Sequence, residues 1–364
     1  MRFTVQSALI SKALRLLASV EKKEYPVSVS ARKDTGSPGS VTITTLEAGI
    51  KFVSLGMSAD VAEEGDVLFS SKYLRWLESD QASVMVITKK DCIEIRAAYN
   101  YRVPFSTETV PSIPDHAETG SATFRLADCK ELFRRVLFAI GDDKDPRHNF
   151  RCVQLECTGE FLRAVGGDRR IIAVSQIAQA SAYTGRFVLS KGGIYTIQKL
   201  EGDMVTLAFC DKGIKLSSCG EIMCDMYLPE LGITFPSYDD VIDVKGNTVI
   251  TADRETLLSF LTAMRKVSDR LQLSMKHVGY QKEKPRGYAR EIEGPAQFEG
   301  YIPADWEGDD LKIIVNAATL YEAVENAGSK VKIRFTNNGG PFSVSGHGDD
   351  YVAVMMPYSP VETR

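Results

Sequence analysis

The chain opens on an alternation and then changes period. Phe3 and Val5 are apolar with polar neighbours, and from Leu9 to Leu17 apolar residues return every three or four positions. A period of two predicts a half-buried strand, and the longer period an amphipathic helix. This strand-then-helix phrase occurs three times: FTVQSALISKALRLLASV from Phe3, FRLADCKELFRRVLFAI from Phe124 and ITADRETLLSFLTAMRKV from Ile250. A second such phrase follows each one: VLFSSKYLRWLES around Phe69, FVLSKGGIYTIQKLEG around Leu189 and KIIVNAATLYEAVENAG around Val315. Both landmarks recur every 120 to 126 residues. Two landmarks holding one register predict three tandem repeats, with domains at 1–119, 120–244 and 245–364.

Ser70, Ser190 and Asn316 stand where a side-chain oxygen can cap the second helix of each repeat. Alternating runs follow these helices, among them Ser83 to Thr88, Cys92 to Ala97, Val205 to Cys210, Ile214 to Ser218, Val331 to Thr336 and Tyr351 to Met356. Lys89-Lys90-Asp91, Asp211-Lys212-Gly213 and Asn337-Asn338-Gly339-Gly340 read as their hairpin turns. Two amphipathic helices on antiparallel strands in each repeat predict an α+β fold, with helices on one face of the sheets. The joints at Pro111 to Thr119 and Asp243 to Asn247 are too short for flexible linkers, so one continuous body is expected.

Composition narrows the function. At 364 residues, 44% hydrophobic and 25% charged, the chain is ordinary globular material, and no apolar run approaches the roughly 20 residues of a membrane span. Lys12 and Arg15 break what would have to be an apolar export signal. Seven cysteines without a CxxC pair fit reduced thiols in a cytoplasmic protein better than a disulfide framework or zinc site. VGGDRR lacks both the P-loop ending and the GxGxxG spacing, and its Asp168 reads as a turn residue. His148 has no second ligand or carboxylate pair at metal or acid–base spacing. No catalytic residue, cofactor or metal is therefore expected. With a net charge of −4, any nucleic-acid role must come from where the basic residues sit.

Four strings occupy a recognisable order along the repeats: the opening FTV, FLRAVGGDRRIIAV at Phe161 to Val174, FPSYDDVI at Phe235 to Ile242 and YVAVMMPY at Tyr351 to Tyr358. Together with the threefold repeat they resemble, over the whole chain, the β subunit of bacterial DNA polymerase III, the sliding clamp. That resemblance implies a head-to-tail homodimer whose six domains close into a ring, with helices lining the hole and a continuous outer sheet. It implies a non-enzymatic processivity factor that encircles duplex DNA and tethers the polymerase. A specialised or phage-encoded clamp paralogue, serving a repair or viral polymerase, is the alternative. A repeat scaffold that ignores DNA would leave the basic helices unexplained.

The resemblance assigns residues. Helix cations Lys12, Arg15, Lys22, Lys23, Lys72, Arg75, Lys130, Arg134, Arg135, Lys191, Lys199 and Arg254 would face phosphates without reading sequence. Lys144, Arg147, His148 and Asn149 lie in a loop matching one that approaches DNA. Glu322 and Glu325 break the basic pattern on the last helix. An apolar groove for short linear motifs of the polymerase, clamp loader and repair partners would be built from Phe150, Gly167, Arg169, Arg170, Ile171, Ile172, Pro236, Val241, Met356 and Pro357. Here Arg169 and Arg170 depart from the family pattern, and Asp240 stands where a basic residue is usual. The tail Ser359 to Arg364 runs past the usual end. The dimer seam would join an edge strand at Arg102 to Thr107, with Val103 and Phe105, to the region Met264 to Leu273, with Val267 and Leu271.

Overall fold

A computed structural model describes residues 1–17, 24–34, 38–47, 51–106, 116–141, 150–178, 183–278, 281–290, 296–346, 348 and 350–358. Lys22, Lys23, Lys144, Arg147, His148, Asn149 and the tail 359–364 lie outside the described residues. Among those described are six α-helices: α1 (Ser7–Leu17), α2 (Leu126–Leu137), α3 (Lys191–Ile197), α4 (Asp239–Ile242), α5 (Arg254–Arg265) and α6 (Ala317–Glu325). Antiparallel sheets supply the rest, so the fold is α+β.

The three capping residues act as their positions predict. Ser190 Oγ accepts from Gly193 N–H at 3.1 Å, Asn316 Oδ1 from Thr319 N–H at 2.8 Å and Ser70 Oγ from Lys72 N–H at 3.5 Å. Asp253 does the same for α5, accepting from Thr256 N–H at 3.0 Å. The segment after Ser70 differs from its two counterparts, because Ser71–Leu77 winds as a 3₁₀ helix. It ends when Glu78 turns extended and donates to Arg75 O at 3.3 Å, a three-residue spacing that leaves no room for an α turn.

The chain divides into two compact units, and the second repeat contributes to both. The first unit holds Met1–Glu131, Cys157–Glu160 and Ala180–Gly232. Its eight-stranded sheet runs Glu118–Arg125, Met204–Cys210, Gly213–Cys219, Met223–Pro229, Lys51–Ser58, Ser40–Glu47, Pro26–Arg32, Gly65–Ser70. The fourth and fifth of these strands come from different repeats and pair from Met223↔Gly56 to Tyr227↔Phe52, so one sheet crosses the repeat boundary. A five-stranded sheet runs Asp60–Glu63, Arg2–Gln6, Ser83–Thr88, Ile93–Arg96, Asn100–Val103. Phe3, Ile10, Val29, Phe69, Leu77 and Ile95 are among the side chains that close the core of the first repeat around a cavity of only about 20 Å³.

The first unit also buries a charge. Lys51 is 1% exposed, its Nζ donates to Thr196 Oγ1 at 2.8 Å, and the Glu47 carboxylate lies 3.8 Å away. Burial outweighs Glu47 and holds the amine down at about 8, with Lys199 adding repulsion.

The second unit holds Leu132–Glu156, Phe161–Gln179 and Ile233–Arg364. Its large sheet runs Cys152–Cys157, Phe161–Gly167, Ile171–Ala178, Tyr351–Met355, Phe342–Ser345, Lys330–Phe335, Thr248–Asp253, Asp305–Glu307. Ile171↔Met355 through Ser175↔Tyr351 join the second repeat to the third. A four-stranded sheet runs Gln297–Tyr301, Arg286–Arg290, Arg270–Met275, Leu311–Asn316, and α5 lies directly on it. A Cβ added to Gly287 would come within 2.5 Å of Phe260 Cζ and 2.9 Å of Met264 Cε, both on α5.

This order corrects the seam assignment. Arg270–Met275 has partners on both sides, and Leu271 is fully buried, so neither is available at an edge. The open edge of that sheet is Gln297–Tyr301, because Leu311–Asn316 is bridged on its outer side through Ile314↔Tyr358. Val267 is half-buried where α5 ends. Of the expected edge strand Arg102 to Thr107, Arg102 and Val103 lie on Asn100–Val103, which ends its sheet, and Thr107 lies outside the described residues; Val103 is fully buried and Phe105 half-buried. Alternation predicts which residues face inward, yet it carries no information on how many neighbours a strand has.

Candidate peptide groove and DNA-facing helices

The hairpin Phe161–Gly167 to Ile171–Ala178 turns at Asp168, Arg169 and Arg170. Asp168 Oδ1 accepts from Arg170 N–H at 2.6 Å and Ile171 N–H at 2.9 Å, so the aspartate orders the turn. At Gly167 a Cβ would sit 3.1 Å from both Ile171 O and Ile172 Cγ1, closing the space the hairpin needs. Met356 N–H donates to Arg170 O at 2.8 Å, which extends the strand pairing past Met355 and sets Met356 beside the hairpin end. Met356 is 48% exposed.

The string FPSYDDVI lies alongside the last strand. Val241 and Ile242 N–H donate to Tyr238 O at 2.9 and 3.1 Å, forming the single turn of α4, which packs beside Tyr351–Met355. Val241 is 42% exposed. Ile172, Pro236 and Pro357 are half-buried, Arg169 and Arg170 exposed, and Ile171 buried beneath the surface as support. Phe150 is half-buried, its carbonyl accepting from Gly141 N–H at 2.7 Å. The hairpin end and the last strand thus bring together Gly167, Arg170, Ile171, Ile172, Met356 and Pro357, and α4 adds Val241.

Tyr238, which precedes α4, is buried near a polar cluster that the sequence strings did not mark. Tyr238 is 2% exposed, and Phe235 meets it edge to face at 6.5 Å. Burial pushes the tyrosine hydroxyl far above its usual range, and the nearby Glu156 carboxylate pushes it further. Glu156 is itself buried, accepting from Gln154 Nε2 at 2.6 Å with Arg163 at 3.8 Å, and Arg163 in turn donates to Gln176 Oε1 at 2.9 and 3.1 Å. The available signal was Gln154 and Glu156 inside Cys152–Cys157, a strand buried at every position. Polar residues in such a strand need partners, and Gln154, Glu156 and Arg163 find them in one another.

At the groove's end, Tyr358 is flanked by two guanidiniums. Arg170 lies 5.5 Å and Arg270 5.4 Å from its ring centre, and its hydroxyl accepts from Asn316 Nδ2 at 2.8 Å. Opposite them in charge, Asp239 and Asp240 are exposed on α4.

The helix cations fall into two kinds. Arg15, Arg75 and Lys199 are exposed. Others are engaged within their own unit: Lys12 pairs with Glu221 and, at 3.2 Å, Glu201, which hold its amine above the usual range. Lys72 meets Glu24 at 3.2 Å, Arg135 meets Asp350 at 2.7 Å and Arg254 meets Glu255 at 2.7 Å. Lys130 Nζ donates to Leu200 O, and Lys191 stands 6.0 Å from the Tyr195 ring centre. Arg134 is exposed and lines a cleft with Arg254 where α2, α5 and α6 meet.

Among the described residues no group of three or more histidine, cysteine, aspartate or glutamate side chains is placed to hold a metal, and no helix is long and apolar enough to cross a membrane. No protein-family model and no curated protein sequence matches the chain. Solved structures do. A DNA polymerase sliding clamp from Bacillus subtilis superposes with a TM-score of 0.84 at 15% identity, covering 99% of each chain. The chain has the sliding-clamp fold. The DNA polymerase III β subunit of Thermotoga maritima matches at 0.83 and 15% identity over 98% of this chain and 99% of that one. A Pseudomonas aeruginosa sliding clamp bound to griselimycin matches at 0.83 and 18% over 99% of each. The sliding-clamp fold is thus matched along almost the whole chain even where few side chains are shared.

Proposed function

We propose that this chain is a DNA sliding clamp: three tandem domains, at 1–119, 120–244 and 245–364, that close head to tail with a second copy around duplex DNA. It tethers a DNA polymerase for processive synthesis and has no catalytic site of its own. The observation that carries this reading is the end-to-end match to sliding clamps at TM-scores above 0.8, in a chain whose own sequence repeats three times. Its place of action is the cytoplasm, on DNA. Polymerase, clamp loader and repair partners dock by short linear motifs at Val241, Met356 and Pro357, of which Val241 and Met356 are exposed, as are Arg170 and Asp240. That altered rim favours, as a second reading, a specialised or phage-encoded clamp with its own partner peptides.

The test is topological. Protein assembled on nicked circular duplex should be retained, then lost from the ends once the circle is cut. Retention on the linear product rejects encirclement.

The seam joins two of the sheet edges, Asn100–Val103 of one copy and Gln297–Tyr301 of the next, each with a row of backbone groups that have no sheet partner among the described strands. Trp76 stacks on Tyr101 at 5.2 Å beside that first edge, with Phe105 just beyond. A Tyr101→Asp, Phe105→Asp variant is expected to shift the solution mass from dimer to monomer by light scattering. A wild-type monomer removes the closed ring.

A further inference from the structure

Met356 N–H donates to Arg170 O, so the exposed methionine and the exposed arginine stand opposite each other across neighbouring chain segments. Side chains so opposed lie on one face of a sheet. Two residues on, Tyr358 is anchored twice: its N–H donates to Ile314 O at 2.8 Å, and its hydroxyl accepts from Asn316 Nδ2 at 2.8 Å. The Arg170 guanidinium lies 5.5 Å from its ring centre. That of Arg270, which opens the strand Arg270–Met275, lies 5.4 Å away. Both arginines are exposed, and neither pairs with a carboxylate among the described residues. Asp168, two residues before Arg170, gives its Oδ1 to the backbone amides of Arg170 and Ile171 instead. Lys12, Lys72, Arg135 and Arg254, by contrast, each have a carboxylate within 3.2 Å.

We infer that Arg170 and Arg270 form a carboxylate clamp beside Met356, so that partner peptides carry an aspartate or glutamate next to the apolar anchor that meets the methionine. The inference rests on the peptide-groove reading and names the charge that its ligands bring. An aromatic ring attracts a guanidinium over its face, which leaves the N–H donors around the guanidinium's rim free. Those donors match the two oxygens of a carboxylate. Two guanidiniums gathered at one ring also repel each other, and an anion shared by both relieves that repulsion. Because Tyr358 is fixed through Ile314 and Asn316, the cations it gathers are partly ordered before a ligand arrives, which lowers the entropy lost on binding.

The test uses two labelled decapeptides, blocked at both ends, with the same leucine and phenylalanine anchors. One carries aspartate on either side of the anchors, and the other asparagine. By fluorescence anisotropy at low salt, wild type is expected to bind the aspartate peptide on the order of tenfold more tightly, the worth of a hydrogen bond to a charged group. The preference should shrink as salt is raised. The protein's net charge of −4 opposes an acidic peptide, so a preference for it reports local cations. In Arg170→Gln, Arg270→Gln the ratio should fall to about one, and in Arg170→Lys, Arg270→Lys, which keeps the charges but not the forks, part of it should remain. Arginines that served only to pack on Tyr358 would affect both peptides alike. Equal binding of the two peptides by wild type overturns the inference, whether or not the glutamine variant folds. So does an undiminished ratio in the glutamine variant. Peptides that bind wild type equally and are both lost in Val241→Asp, Met356→Asp leave the groove standing without its clamp. Wild type that binds neither peptide takes down the groove reading and this inference with it.

Discussion

A Val241→Asp, Met356→Asp variant is expected to lose on the order of 100-fold or more in affinity for a peptide carrying leucine or phenylalanine anchors, and to give no polymerase stimulation. Both side chains are more than 40% exposed, so the charges enter solvent in the free protein and the fold should survive. On binding, each carboxylate would have to be stripped of water against an apolar anchor, a cost of about 2 kcal/mol or more at each hot-spot position. Fluorescence anisotropy of a labelled peptide reads the loss, and light scattering checks that the dimer persists. Undiminished peptide binding would remove the groove. Truncation by Met356→Ala, Pro357→Ala is the milder form of the same experiment, since it removes contact without adding a charge.

Raising the pH from 8 to 10.5 is expected to stabilise the protein through Lys51. Its folded-state value of about 8 lies below the ordinary 10.5. Below pH 8 the amine is charged in both states and the burial penalty is fully present. Between the two values the folded state sheds its proton first, so stability rises with pH, by about 3 kcal/mol over the interval. Urea melts across that range read the slope, and the same melts on Lys51→Met, Glu47→Leu isolate it from other titrations, because the double variant should lack this component. Lys51→Met alone is expected to destabilise at pH 7, since the Glu47 carboxylate loses the ammonium 3.8 Å away. A wild-type slope no different from that of the double variant would show that Lys51 is solvated in solution.

The sequence by itself determined the α+β class and the cap residues, because these rest on local physics. A period of two or of three to four declares which face of an element is apolar. A serine or asparagine at a helix start satisfies amides only three residues away, as Ser190 and Asn316 do. Asp168 was legible as a turn residue for the same reason. The tertiary structure decided everything that depends on who stands opposite. Arg270–Met275 looked like an edge and lies inside its sheet. Tyr238 read as part of a recognition string and turned out to be a buried side chain whose hydroxyl Glu156, 82 residues earlier in the chain, helps to hold protonated. Lys51 finds its hydroxyl partner 145 residues away. The charges show the difference most plainly. The helices spell a row of cations, but whether a cation is available to phosphate depends on carboxylates brought up by other elements. Such pairing over long separations leaves no period in the sequence.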